Sequence, residues 1–303
     1  MNAGDTCAPT RYPAGQLSYD QPITAPVLPA TMSVDPHLRN LDIEIPTQPE
    51  VLVKLSLLMA AEDIDLQAIS ALVETDMALA AAVMKAVNSS LYGLRGRVQT
   101  VHQALTYLGM REVAAITFEM GLRAAFPAAA ELEAVWTRAS QRGLLMGRMG
   151  QMLGVDPWAA HSAGLFEECG KAVLYRHAPA HYPAMLRAAT RDVDLAELER
   201  TAFGVSHDAL GAALCESWGL APAAVASVRH HVEIQSTLTI PEALARRSVA
   251  AISTVAWALL QHPEQLEDIA RQIAPQAQLD ETLVLRAARR VHEQLQSAQA
   301  HGR

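Results

Sequence analysis

From Leu41 onward the apolar residues of this chain return at helical spacing in segment after segment, and no run carries a strong strand signal. Pro49 stands at a helix start, and Val51, Leu52, Leu55, Leu58 and Met59 then share one face, which predicts a first amphipathic helix ending near Ala61. Asp65 predicts the cap of a second helix over 66–74, because a short oxygen side chain accepts from the free amides of a helix start. Thr75 or Asp76 does the same for a third over 77–89, and Thr100 for a fourth over 101–108. Gly109 reads as the left-handed stop before another helix over 110–126. Half the residues are apolar and only 5% are aromatic, with Ala and Leu dominant, so a large core is available and helix packing is favoured over sheet. The fold class that follows is all-α.

Pro127 and the alanines at 128–130 mark a boundary. Beyond it a helix is predicted over 131–153, with an apolar stripe of Leu132, Val135, Trp136, Leu144, Leu145, Met149 and Met152. Gly143, Gly147 and Gly150 lie near one face of that helix, where they favour close approach of a neighbour. Further helices are predicted over 157–169, 171–177, 182–190, 195–202, 206–218 and 222–232, then over 241–261, 264–273 and 280–298. The organisation predicted is a disordered tail over 1–40, a helical lobe over 41–127, a second lobe over 128–240, and C-terminal helices over 241–303 packed on the second lobe. The tail carries Pro9, Pro13, Pro22, Pro26, Pro29 and Pro36, shows no period and has little to bury.

A net charge of −8 provides no electrostatic footprint for nucleic acid, whose binding rests on clustered Lys and Arg. Cys7, Cys169 and Cys215 form no CxxC pair, as expected of a reducing cytoplasm. Residues 1–20 have no apolar core of a signal peptide, and the most apolar helical stretch, 248–260, is too short to span a bilayer. A soluble, cytoplasmic protein without membrane insertion is expected. There is no P-loop, no dinucleotide fingerprint and no Gly-x-Ser-x-Gly elbow.

Three groups of motifs then coincide in order. The first runs from Glu74-Thr75-Asp76 through Asn88-Ser89-Ser90-Leu91-Tyr92-Gly93 to Ala104-Leu105-Thr106-Tyr107-Leu108-Gly109. The second is the frame from Ala163 to Leu174, with Glu167-Glu168 followed by Gly170-Lys171. The third comprises Glu199, Phe203 to Gly211 with His207, then Trp218-Gly219-Leu220-Ala221-Pro222 and His230-His231. Together, over roughly 41–235, they resemble the HDOD family, bacterial relatives of the HD and HD-GYP phosphohydrolases. The resemblance implies a two-lobed, all-helical signalling module that is regarded as non-catalytic and acts with two-component or cyclic-di-GMP pathways.

In the related hydrolases a His, a His-Asp dipeptide and a later Asp hold metal ions that acidify a bound water. By register from Trp136 the first position falls near Arg138 here, the dipeptide is Glu167-Glu168, and Ser253 or Thr254 stands about where the last Asp belongs. A metal-free polar cluster of Arg138, Glu167 and Glu168 is therefore expected at the old site. A rebuilt site from His161, Glu167, Glu168, His230 and His231 is the rival reading, although adjacent helical positions point about 100° apart, so His230 and His231 cannot both face one ion. Val232-Glu233-Ile234-Gln235 replaces the Gly-Tyr-Pro element, which disfavours cyclic-di-GMP hydrolysis. Ser206 is expected to cap a helix, with His207 bonding a neighbouring loop, Asn88 and Tyr92 to pin the first-lobe loop, and Cys169 to be an inert thiol. No catalytic residue, metal ligand or cofactor is assigned. The function expected is regulation through a protein partner, namely a cyclic-nucleotide enzyme, a kinase or a response regulator. The alternatives are a phosphohydrolase with substituted ligands and a nucleotide sensor using the old cleft.

Overall fold

The structure of the protein is a computed structural model, which describes residues 38–39, 41–60, 65–89, 92 and 98–301. The described residues form α-helices joined by short 3-10 turns and loops, with no strand. Helices α1 (Glu50–Ala60), α2 (Leu66–Glu74), α3 (Met77–Val87), α4 (Val101–Leu108) and α5 (Met110–Ala124) pack mainly on one another. The caps form as the side chains dictate: Asp65 accepts from Gln67 N–H at 2.8 Å, Asp76 from Ala78 N–H at 2.9 Å, and Thr100 from Gln103 N–H at 3.1 Å. Gly109 joins α4 to α5 at φ +80°, a conformation that side-chain-bearing residues rarely adopt.

The remaining helices are α6 (Glu133–Leu153), α7 (Pro157–Phe166), α8 (Cys169–His177), α9 (Tyr182–Ala188), α10 (Asp192–Phe203), α11 (His207–Ser217), α12 (Pro222–Thr237), α13 (Ser248–Gln261), α14 (Leu266–Ile273) and α15 (Glu281–His301). The most extensive pairing is α6 with α7, and α15 returns to lie on α6. The described residues make one compact unit. Within it, an aromatic cluster joins the first group of helices to the second: Phe118 of α5 packs edge-on against Trp158 and Trp218 with ring centroids 5.4 and 6.5 Å away, and Phe166 lies 6.0 Å from it. Trp218 also donates from Nε1 to Pro46 O at 2.8 Å, which ties the segment before α1 to the end of α11.

Several boundaries differ from the sequence reading, each for a local reason. The helix expected over 157–169 ends at Phe166, because Glu167 and Glu168 form a turn that Lys171 N–H closes on Glu168 O at 3.1 Å. Helix α10 begins at Asp192 rather than 195, with Asp192 and Asp194 in the first turn, where carboxylates complement the helix dipole. Helix α12 runs past Val232 to Thr237 because Ile234 and Gln235 still face the core. Helix α13 starts at Ser248 rather than 241, after an irregular stretch held by Gln276, whose Oε1 accepts from Ile240 N–H at 2.8 Å. Most of the expected tail lies outside the described residues, but Leu38 is buried and Arg39 Nε donates to Thr201 O at 2.9 Å, so the last residues of 1–40 belong to the fold.

Helix α8 lies against α11 at backbone contact through Gly170. A Cβ placed on Gly170 would stand 1.8 Å from His207 O, which is main chain and cannot swing aside. At Gly150 such a Cβ would lie 3.2 Å from the methyl group of Ala160 and 3.3 Å from Pro157 Cα and Val155 O, tight contacts rather than an overlap. Gly170→Ala is therefore expected to destabilise by about 3 kcal/mol or more, as overpacking against a backbone does. Gly150→Ala should cost under about 1 kcal/mol, because the helix propensity gained offsets the tighter contact. Urea midpoints of the two variants check the contrast.

Candidate functional site

Helix α6 carries Arg138 and Arg142 one turn apart on one face, aimed at the turn between α7 and α8. That turn presents Glu167 and Glu168, both fully buried. Arg138 donates to Glu168 Oε2 from Nη2 at 3.0 Å and from Nε at 3.2 Å. Arg142, itself buried, forms an ion pair with Glu167, and its Nη1 lies 3.7 Å from Glu168 Oε1. The sequence reading set Arg138 beside Glu167 or Glu168. The structure divides them, and the arginine it brings to Glu167 is the one a turn further along α6. That residue was missed because register alone marks a position, whereas two positions four residues apart face the same neighbour.

Lys171 completes the cluster from within α8. Its Nζ donates to Glu168 Oε2 at 3.1 Å and to Asp192 Oδ1 at 2.7 Å, at the first turn of α10. Burial alone would drive the Lys171 proton off, but Asp192 and Glu168 hold the ammonium and raise its pKa. Burial likewise opposes ionisation of Glu168, yet Lys171 and Arg138 outweigh it and hold that carboxyl at about 2. The remaining valence of Glu167 is met by hydroxyls: Ser253 of α13 donates to Oε1, and Ser227 of α12 lies 3.4 Å from the same atom. Thr254 turns instead to Ala250 O at 2.9 Å. A cavity of about 280 Å³ opens beside this network, lined by Arg138, Arg142, Lys171, Arg191 and Asp192 among others.

A metal ion of the kind that HD hydrolases hold does not fit at these positions. The Arg142 guanidinium is buried against Glu167, Arg138 and Lys171 share Glu168, and Ser253 occupies the remaining direction, so cations and hydroxyl groups already take the carboxylate lone pairs. His161 lies elsewhere, lining a separate cavity with Trp158, Arg148 and Glu112; its ring stacks on Trp158, and burial lowers its pKa to about 4.

A second constellation adjoins the network. His207, at the start of α11, is fully buried and bonds through Nδ1 to Glu199 Oε2 at 2.7 Å; the same oxygen accepts from its backbone N–H at 2.7 Å. The partner of His207 is thus a carboxylate of α10 rather than a loop. Glu199 also accepts from the Tyr182 hydroxyl, whose pKa burial and that carboxylate push well above 10. Ser206 does not cap α11 through its hydroxyl, which goes to the Asp208 carboxylate instead. His231 is buried with Nδ1 2.7 Å from Val228 O, whereas its neighbour His230 is partly exposed beside Glu233.

Of the motif positions in the first group of helices, Asn88 bridges two segments. Asn88 donates from Nδ2 to Met84 O at 3.0 Å and to Val98 O at 2.8 Å, joining the end of α3 to the segment before α4. Tyr92 is half-buried, and burial and the nearby Glu112 raise its phenol pKa well above 10. Gly93 lies outside the described residues. Cys169 is buried with Sγ 3.2 Å from Leu165 O, and burial holds its thiol well above 9.

The family model of the HDOD domain matches residues 45–234, so this chain belongs to the HDOD-domain family. A Treponema pallidum protein described only as uncharacterized is 25% identical over 230 residues, covering 71% of this chain and 44% of that protein. The chain therefore spans less than half the length of this curated relative. Among solved structures, an HDOD-domain protein from Geobacter sulfurreducens is 18% identical with a TM-score of 0.64, covering 87% of this chain and 95% of the other. A protein from Shewanella amazonensis, provisionally named a phosphohydrolase, is 19% identical with a TM-score of 0.62 over 88% and 97% of the two chains. These structures share the fold. No single helix among the described residues is long and apolar enough to cross a membrane.

Removing one member of a buried ion pair strands its partner, at about 3–5 kcal/mol. Arg142→Ala is expected to cost that much in urea unfolding, and replacing Arg142 and Glu167 together by apolar residues should cost less than either single change. Arg138 is 39% exposed, so Arg138→Ala should cost only about 1 kcal/mol. The depressed Glu168 pKa has a definite sign: its contribution is complete above about 4.5 and is lost as pH falls towards 2. Acid titration of stability should show that loss, and Glu168→Gln should flatten it.

Proposed function

We propose that this protein is a non-catalytic, cytoplasmic signalling module that regulates a partner protein by binding it. The observation that carries this reading is the charge network itself. Where a hydrolase of this fold needs imidazoles and carboxylates open to an ion, this chain has Arg142 and the Ser253 hydroxyl on Glu167, and Arg138 with Lys171 on Glu168. With Asp192, which pairs with Lys171, the three cations meet three carboxylates, so the Glu167-Glu168 turn needs no metal ion to neutralise it. The cluster serves to hold α6, α8 and α10 around the turn after α7. The family resemblance points the same way, and the partner classes it suggests are a cyclic-nucleotide enzyme, a kinase or a response regulator. We further propose that residues 41–127 and 128–240 act as two lobes and that residues 241–303 brace the second.

Nucleotide sensing is a second reading, favoured by the cavity of about 280 Å³ whose lining includes Arg138, Arg142, Lys171 and Arg191. The purified protein should hydrolyse neither phosphodiesters nor nucleotides when given manganese, iron or magnesium. Affinity capture from the source cell should recover a signalling protein in stoichiometric amount. Turnover that Glu168→Gln abolishes would overturn the non-catalytic reading. Stabilisation by a nucleotide, about 2.7 kcal/mol at a hundredfold its dissociation constant, would move the assignment to the sensor.

A further inference from the structure

Two buried imidazole nitrogens near Asp192 have no partner. His207 and His231 each engage Nδ1, with Glu199 and with Val228 O respectively, and each leaves Nε2 buried without a hydrogen bond. A carboxylate or a backbone carbonyl on Nδ1 fixes the tautomer in which Nε2 carries a lone pair. That is the outer support found behind histidines that ligate metals. An unpartnered buried nitrogen is costly, and two of them facing one space ask for a common occupant.

Asp192 supplies the third donor. One ligand atom from each of Asp192, His207 and His231 lies within 4.8 Å of the others. Donors at about 2.1 Å around a tetrahedral ion stand roughly 3.4 Å apart, so the three need only draw in by up to about 1.5 Å. The imidazoles are already placed for it. Their centroids are 5.5 Å apart at an interplanar angle of 59°, against roughly 5 Å for two imidazoles bound to one ion through Nε2. The local charge also leaves room for a cation. Glu167, Glu168, Asp192 and Glu199 are four carboxylates, set against the three cations Arg138, Arg142 and Lys171.

We propose that Asp192, His207 and His231 bind one divalent transition-metal ion of the zinc class, with its fourth position open to the cavity that Asp192 lines. Two imidazoles and one carboxylate form a donor set suited to zinc or cobalt rather than to magnesium or calcium. The three ligands belong to α10, α11 and α12, so the ion joins three helices. Asp192 is the entry point, being the ligand that lines the cavity and is partly exposed. On binding, Asp192 turns from Lys171 to the ion, and Lys171 keeps Glu168 as its partner. This ligand set shares no residue with Arg138, Glu167 and Glu168, and it stands independently of the regulatory reading.

The test is cobalt and zinc titration of the metal-stripped full chain. Visible absorption of bound cobalt and metal content after dialysis are read in the wild type, Asp192→Asn, His231→Gln and, as a control, the partly exposed His230→Gln. One ion per chain is expected in the wild type and in His230→Gln, with affinity at least tenfold weaker in Asp192→Asn and His231→Gln. Because core variants can misfold, nitrogen-15 spectra of the wild type supply a second measure. Zinc should shift the Nε2 resonances of two of the eleven histidines, those of His207 and His231. Absence of stoichiometric cobalt binding, unchanged affinity in folded Asp192→Asn and His231→Gln, or zinc shifts confined to other histidines would each overturn the proposal. Turnover and partner capture read the regulatory function separately, so either idea can fail without the other.

Discussion

The turn between α7 and α8 holds two fully buried carboxylates, and much of the second group of helices is arranged around neutralising them. Each ion costs several kcal/mol to remove from water, a cost met only by good geometry and complete hydrogen bonding. Here the partners come from four directions: Arg138 and Arg142 on α6, Lys171 on α8, Ser227 on α12 and Ser253 on α13. Lys171 extends the chain of charges to Asp192 at the start of α10. A network of this kind adds little net stability over an apolar core. What it does is set which helix turn meets which, because a slip of one turn would leave a charge unpaired.

Reaching that arrangement requires helices closer together than ordinary side chains allow. At Gly164 an added Cβ would lie 2.8 Å from the backbone of Arg142, and at Gly170 nearer still to that of His207. The first contact brings α7 against α6 at the residue that pairs with Glu167. The second brings α8 against α11 at the residue that bonds Glu199. Small residues and buried charges are therefore two parts of one solution: the glycines set the distance, and the ion pairs set the register.

The same frame explains how one fold carries both a closed ionic cluster and a pair of open imidazoles a short distance away. Glu199 binds the backbone and Nδ1 of His207 and the hydroxyl of Tyr182, so it is saturated and directs the far side of the His207 ring inward. Val228 O does the same for His231 from within α12. Asp192 stands between the two systems, held by Lys171 on one side and close to both imidazoles on the other. The cluster and the histidines thus share a single carboxylate.

The all-α fold and most helix starts were legible in the residues, because capping and periodicity act over four or five positions. Asp65, Asp76 and Thr100 each accept from amides two or three residues on, whatever the rest of the chain does. The Glu167-Glu168 dipeptide ahead of Gly170-Lys171 stood out in the sequence as well, and helical geometry alone gave the divergence of His230 and His231 on one helix. Partners distant in sequence were not. Arg142 is one of several arginines until α6 lies on the α7 turn, and Asp192 was read as lying before its helix, remote from Lys171 and from both histidines. Their meeting depends on how α8, α10, α11 and α12 converge, and that is decided by packing across stretches of chain for which local propensity carries no information.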